Sequence, residues 1–193
     1  MKTLAHFDGT TTFTDKCHTE MLSSDVINVQ EWYEANRTDF SPPICNKLMF
    51  KNELSVMFVG GPNSRKDYHF NESEEFFYQL EGDIQVKLQI DGKAEVFDIK
   101  EGDIFLLPPR MPHNPIRFKN TIGLVMERQR RNGEMDGLMW FCDSCNHPLF
   151  EEKFELDDIA NQFQAIFAKF YNSEALRTCK KCGDVLQPPP VIS

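Results

Sequence analysis

No apolar run in this sequence approaches the roughly 20 residues of a membrane-spanning helix, which excludes helical membrane proteins. Basic charge is scarce: 21 Lys and Arg stand against 30 Asp and Glu, a net of −9. So acidic a chain has a poor electrostatic footprint for nucleic acid or an anionic lipid surface. Residues 1–14 (MKTLAHFDGTTTFT) lack the unbroken apolar stretch of a secretory signal. A cytoplasmic location is therefore expected, and a disulfide framework is not. Also missing, from about residue 66 to residue 128, is any helical period, which excludes the strand–helix alternation of a parallel α/β sheet.

What is there is a 193-residue chain, 40% hydrophobic and 26% charged, long enough for one good core plus a small module. Residues 1–24, rich in Thr, Ser and Asp and without period, are expected to form an extension, with His6, His18 and Cys17 as ordinary members of it. Asp25 can cap a helix over 25–37 that turns Val26, Val29, Trp32 and Tyr33 to one face. Pro42-Pro43 forbids helix beyond it. Residues 46–59 read as one strand, with Leu54, Val56 and Phe58 alternating. Short strands then follow at 66–70, 75–81, 84–90, 94–99, 104–107, 113–118 and 121–128, with a hairpin turn at Asp91-Gly92. So many short, evenly spaced strands predict a sandwich or jelly-roll barrel. Residues 130–134 read as a linker. Past it come one C-x-x-C pair, a helix over 156–171 with Ile159, Phe163, Ile166, Phe167 and Phe170 on one face, and a second C-x-x-C pair. That apolar face is expected to dock on the barrel or on a partner subunit. The organisation predicted is an extension (1–24), a barrel with its leading helix (25–131) and a cysteine module (132–193).

Two constellations carry chemistry. The first is His69, Glu75 and His113, spaced against Gly82, Gly102 and Pro108; the interval to Gly82 favours Glu75 over Glu74. Two imidazoles and one carboxylate with open positions are the donor set of non-haem Fe(II) oxygenases. The second is Cys142/Cys145 with Cys179/Cys182, four soft thiolates that close a tetrahedral shell around zinc or iron, so its role is structural. Both metals suit it equally on chemical grounds. His147 is not needed, and the isolated Cys45 reads as an ordinary thiol.

The glycine–proline–histidine intervals resemble the two signature motifs of the cupin family. One usual ligand is missing, since His-x-His is here Asp67-Tyr68-His69, and Arg110 stands where glycine is usual. Five segments carry a closer resemblance, to the 3-hydroxyanthranilate 3,4-dioxygenase family: GGPNSRKDYH (60–69), EEFFYQ (74–79), EGDIFLLP (101–108), PHNPIR (112–117) and MERQR (126–130). The likeness runs from about residue 41 to 182 and is to the short form. That form implies a mainly β protein: one cupin jelly-roll barrel with flanking helices and a small C-terminal four-cysteine metal knuckle like that of rubredoxin. It further implies Fe(II) on His69, Glu75 and His113, a second iron on the four cysteines, and a homodimer. The implied reaction is extradiol-type opening of the 3-hydroxyanthranilate ring by O2 to 2-amino-3-carboxymuconate 6-semialdehyde, in tryptophan catabolism by the kynurenine pathway towards quinolinate and NAD. By the same resemblance Arg117 and Glu127 bind the substrate, Arg65 lies near O2, and Asn46 lines the pocket.

The residues support this reading independently. Arg117 lies four residues past His113, so alternation turns both to one face, and arginine holds a carboxylate bidentately. A buried Glu127 needs a partner, for which Arg117 is the candidate; Arg128, Arg130 and Arg131 read as surface charge. Lys66 and Asn114 depart from the family's usual small residues beside the ligands. The competing readings are another metal-dependent cupin enzyme and a non-catalytic, ligand-sensing cupin.

Overall fold

A computed structural model describes residues 26–40, 46–157 and 159–189. The expected extension, the Asp25 cap, Pro42-Pro43, Cys17, Cys45, His6 and His18 lie outside the described residues. The leading helix α1 spans Val29–Asn36 and starts later than predicted. Asn28 Oδ1 accepts from the Glu31 N–H at 3.0 Å, so Asn28 occupies the capping position. A 3-10 turn, Arg37–Phe40, follows it in the chain.

Eleven strands follow: β1 (Asn46–Lys51), β2 (Leu54–Gly60), β3 (Tyr68–Phe70), β4 (Glu75–Glu81), β5 (Ile84–Ile90), β6 (Lys93–Ile99), β7 (Ile104–Leu107), β8 (His113–Arg117), β9 (Ile122–Arg128), β10 (Asp136–Phe141) and β11 (Pro148–Phe154). One sheet has the order β1-β2-β9-β4-β7, the other β11-β10-β3-β8-β5-β6. The pairs β2–β9, β3–β8, β4–β7 and β5–β6 are antiparallel, nested, and alternate between the two sheets. That nesting is the jelly-roll topology. Residues 46–59, read as one strand, form the β1–β2 hairpin instead, with Lys51 opposite Ser55. Asn52-Glu53 makes that turn without a Gly or Pro to announce it, so the alternation hides the break. The Asp91-Gly92 turn has both residues at positive φ, 49° and 76°, as a tight two-residue hairpin requires.

Between the sheets lie Phe77, Ile84, Val86, Leu88, Ile99, Leu107 and Val125, all buried. The predicted break over residues 130–134 is a turn, closed by Glu134 N–H to Arg131 O at 3.0 Å. From it the chain enters β10, which hydrogen-bonds β3 within the second sheet. Helix α2 (Ile159–Tyr171) packs Phe163, Ile166 and Phe170 onto Leu138 and Trp140 of β10 and onto Leu186. Trp140 stacks on Phe170 at 4.3 Å and donates its Nε1–H to the Tyr171 hydroxyl at 3.1 Å. Burying each such ring contributes about 1.5–3 kcal/mol. The apolar face of α2 is thus covered within the chain. No helix among the described residues is long and apolar enough to cross a membrane.

Candidate active site

Two cross-strand pairs build the site. In the second sheet β3 sets His69 directly opposite His113 of β8; in the first, β4 sets Glu75 opposite Glu127 of β9. All four turn into the barrel, because side chains on a strand alternate and Glu75 shares its face with Phe77 and His113 its face with Pro115 and Arg117. His69, Glu75 and His113 are buried, and their ligand atoms lie within 4.8 Å of one another. Glu75 Oε1 is 3.6 Å from His69 Nδ1 and 3.4 Å from His113 Nε2. Ligands on one ion with bonds of about 2.1 Å stand roughly 3–3.5 Å apart, so the spacing fits a metal.

The other ring nitrogens are already engaged. His113 Nδ1–H donates to Met111 O at 3.0 Å, and His69 Nε2–H donates to Asp136 Oδ2 at 2.7 Å. Each bond fixes its ring and leaves the inward nitrogen free to take a metal. Asn71 Nδ2–H donates to Glu75 Oε1 at 2.6 Å. Burial alone would lower the His69 pKa; Asp136 and Glu75 overcome it and raise it to about 9. Burial alone would raise that of Glu75, but the two histidines hold it well below the usual carboxylate range.

Arg65, Arg117, Glu127 and Asn46 line one cavity of about 140 Å3 with the three ligands. Arg117 is buried; its Nη1–H donates to Val59 O at 3.1 Å and its backbone N–H to Asn63 Oδ1 at 3.0 Å. Among the described residues no carboxylate forms an ion pair with it. Burial first, then the neighbouring Arg65 charge, lowers its pKa to about 10. Arg65 is half-buried, forks onto Asp67 at 3.1 and 2.5 Å, and lies over the rings of Phe163 and Phe167 at 5.7 and 6.0 Å. Asp67, in the place of the missing histidine, therefore serves as the anchor of Arg65. Asn114 Nδ2–H ties down the Asp67 carbonyl at 2.6 Å, and Lys66 pairs with Asp143 at 2.7 Å.

Two expectations are corrected. The partner of Glu127 is Arg130, at 2.9 Å, rather than Arg117. Arg130 is also not surface charge: its guanidinium is nearly buried and forks onto Asp136 at 2.6 and 2.8 Å. Arg117 sits on β8 across the cavity, whereas the turn after β9 folds Arg130 back over Glu127. Asp136, Asn71 and the reach of Phe163 into the cavity carry no signal of their own in the sequence. Asn71 has the look of a turn residue and Phe163 of plain helix core, while Asp136 carries no local mark. Arg110 keeps the left-handed backbone of the glycine it replaces, φ 62°, and pairs with Glu72 at 3.0 Å.

The four cysteines form the second cluster, free and within 4.8 Å of one another. Cys142–Cys182 and Cys145–Cys179 sulfur separations are both 3.6 Å, too long for a disulfide and close to the edge of a tetrahedron with bonds of about 2.3 Å. The two knuckles repeat one backbone plan. Asn146 N–H donates to Cys142 O and Gly183 N–H to Cys179 O, each at 2.9 Å, and both donors are at positive φ, 54° and 78°. Burial alone would raise the Cys179 thiol, but backbone N–H groups of Cys182 and Lys181 aimed at it hold it at about 6. Such a thiol is ready to bind metal.

A family model described as 3-hydroxyanthranilic acid dioxygenase matches residues 21–171. A curated protein of Xanthomonas campestris pv. campestris (strain B100) named 3-hydroxyanthranilate 3,4-dioxygenase is 48% identical, over 84% of this chain and 93% of its own. One of the same name from Rattus norvegicus is 48% identical over 85% of this chain, which spans 58% of the rat protein. Among solved structures, a cupin-2 domain containing protein from Shewanella frigidimarina is similar at a TM-score of 0.42 and 17% identity, over 54% of this chain and 95% of that one. So loose a likeness adds nothing to the strand order above.

Proposed function

The chain belongs to the 3-hydroxyanthranilic acid dioxygenase family, and from that membership we infer that it opens the ring of 3-hydroxyanthranilate with O2 to give 2-amino-3-carboxymuconate 6-semialdehyde. This is the ring-cleaving step of tryptophan catabolism that leads to quinolinate and NAD. The single observation that carries the assignment to this cavity is Arg117. It is a buried cation with no acid of its own among the described residues, facing a His–Glu–His cluster. A substrate carboxylate would supply the missing charge through a bidentate pair.

The donor set suits Fe(II) held by His69, Glu75 and His113. When bound, that ion supplies the redox chemistry that brings an electron-rich ring and O2 into one reaction. The protein's own residues do the rest. Arg117 grips the carboxylate and sets the ring's orientation. Glu127 faces the hydroxyl and amino edge; burial, and next the Glu75 charge, push its pKa up, which makes it the better proton acceptor. Arg65, steadied by Asp67, presents a positive charge where O2 reduction builds negative charge. Phe163 and Asn46 complete the wall. The four-cysteine cluster takes iron or zinc in a closed shell, and its reduced thiols suit the cytoplasm. A homodimer is supported by Leu54, Ile104 and Leu106, which stand 48%, 66% and 54% exposed on the first sheet.

The test is direct. Protein loaded with Fe(II) without air should consume O2 and form the yellow semialdehyde when given 3-hydroxyanthranilate. His113→Ala should bind one metal fewer per chain and show no turnover. A wild-type protein that fully loads and leaves the substrate unchanged refutes the reading.

A further inference from the structure

One side chain reaches both halves of the site. Arg130 donates from Nε and Nη2 to Asp136 at 2.6 and 2.8 Å, and from Nη1 to Glu127 Oε2 at 2.9 Å. Asp136 in turn accepts from the ligand His69 at 2.7 Å. On the far side Glu127 Oε2 accepts from Asn71 Nδ2 at 3.3 Å, and the same amide holds the ligand Glu75 at 2.6 Å. His69, Asp136, Arg130, Glu127, Asn71 and Glu75 thus form a ring that leaves one metal ligand and returns at another. Asp136 is wholly buried and the Arg130 side chain only 10% exposed, so water does not compete for these bonds.

We propose that Arg130 is a positioning residue that couples the metal ligands to the substrate-facing acid. Its fork sets the Asp136 carboxylate so that His69 offers Nδ1 to the metal, while its third donor holds Glu127 against the cavity. Buried carboxylates so close together tolerate one another only with a cation between them. A planar fork can serve both at fixed angles; a lysine, a shorter-reaching point charge with freely rotating donors, supplies the charge without fixing either carboxylate. A movement of Glu127 on substrate binding is then transmitted to His69 through a rigid guanidinium. The idea rests on the dioxygenase reading for the role of Glu127, but not for the effect on metal affinity.

The experiment is a double-mutant cycle read as Fe(II) affinity of the histidine site. It uses the full chain, by competition with a chelator under anaerobic conditions, with the tetrathiolate site followed separately by its sulfur-to-metal absorption. Asp136→Asn should weaken Fe(II) about 10- to 100-fold, the range for groups that orient a ligand. Glu127→Gln, which touches no ligand atom through its own oxygens, should change it several-fold, and the double variant should fall short of the product of the two. Arg130→Lys should recover metal affinity relative to Arg130→Met while KM for 3-hydroxyanthranilate stays raised. Strict independence of the two acid substitutions, in folded protein, overturns the coupling even where Arg130→Met does not fold. Coupled Fe(II) affinities in a protein that fails to oxidise 3-hydroxyanthranilate would uphold the ring and refute the substrate assignment.

Discussion

Each of the two histidines at the centre has its ring set by a neighbour that holds the nitrogen turned away from the cluster, Asp136 for His69 and a carbonyl for His113. Glu75 is held differently, since Asn71 bonds Oε1, the oxygen that also faces both rings. Arg117 is fastened at one Nη and left open at the rest of its fork. Replacing it with alanine should raise KM about 10- to 100-fold, the cost of charged hydrogen bonds, with a smaller change in kcat. Steady-state kinetics over substrate concentration checks this; an unchanged KM places the carboxylate elsewhere. His69 yields a prediction about pH. Its folded pKa is raised from 6.5 to about 9, so in metal-free protein its proton stabilises the fold fully below pH 6.5 and that contribution is lost as pH climbs through 9. Metal must displace the same proton. Affinity for Fe(II) should therefore rise by up to about tenfold per pH unit below 9 and level off above it. A chelator competition from pH 6.5 to 9 that gives a flat line would contradict the His69–Asp136 pairing as drawn.

Among the elements, the C-terminal knuckle and α2 act together on the barrel. Lys66 reaches Asp143, and Gln89 and Asn146 exchange two amide hydrogen bonds at 2.8 and 3.0 Å, so the cysteine loop is pinned to β5 and to the approach to β3. The second knuckle brings Leu186 into the Trp140–Phe170 cluster, and α2 delivers Phe163 from that cluster to the cavity, 5.5 Å from the His69 ring. Loss of the tetrathiolate metal should be felt as a loss of packing rather than of chemistry. Cys145→Ser should bind one metal fewer per chain and melt several degrees lower, while protein kept below its transition still turns over. Calorimetry with metal analysis checks both. An unaltered Tm would mean that the knuckle holds its shape without an ion.

For the whole molecule, the notable surface is the outer side of the first sheet. Leu54, Ile104 and Leu106 face outward there beside Phe76 and Met126. Isolated apolar side chains are ordinary on a surface, whereas a cluster on one sheet face is a candidate for association with a second copy. The helix α2, whose apolar side first suggested a partner, needs none, since β10 covers it. Sedimentation should accordingly find a dimer, and Ile104→Glu with Leu106→Glu should give a folded monomer. A wild-type monomer at working concentration would show that this face is simply solvated.

Strand period, turn chemistry and ligand spacing are local properties, and they were open to reading from one chain. Residues 75–81, 84–90 and 104–107 are strands to the residue, and the hairpin at Asp91-Gly92 needed only the conformations those two side chains allow. Contacts made across the fold were not open in the same way. The β1–β2 turn lacks a Gly or Pro, and Arg130 sits in a basic run that has the pattern of a solvated rim. Asp136 lies 67 residues from the histidine it holds. Whether a charge is buried, and against what, depends on which strands the barrel closure brings together. The donors that converge in a cluster fit for a metal could thus be found from their chemistry and intervals, whereas the groups that aim them depend on the meeting of β3, β9 and β10 in three dimensions.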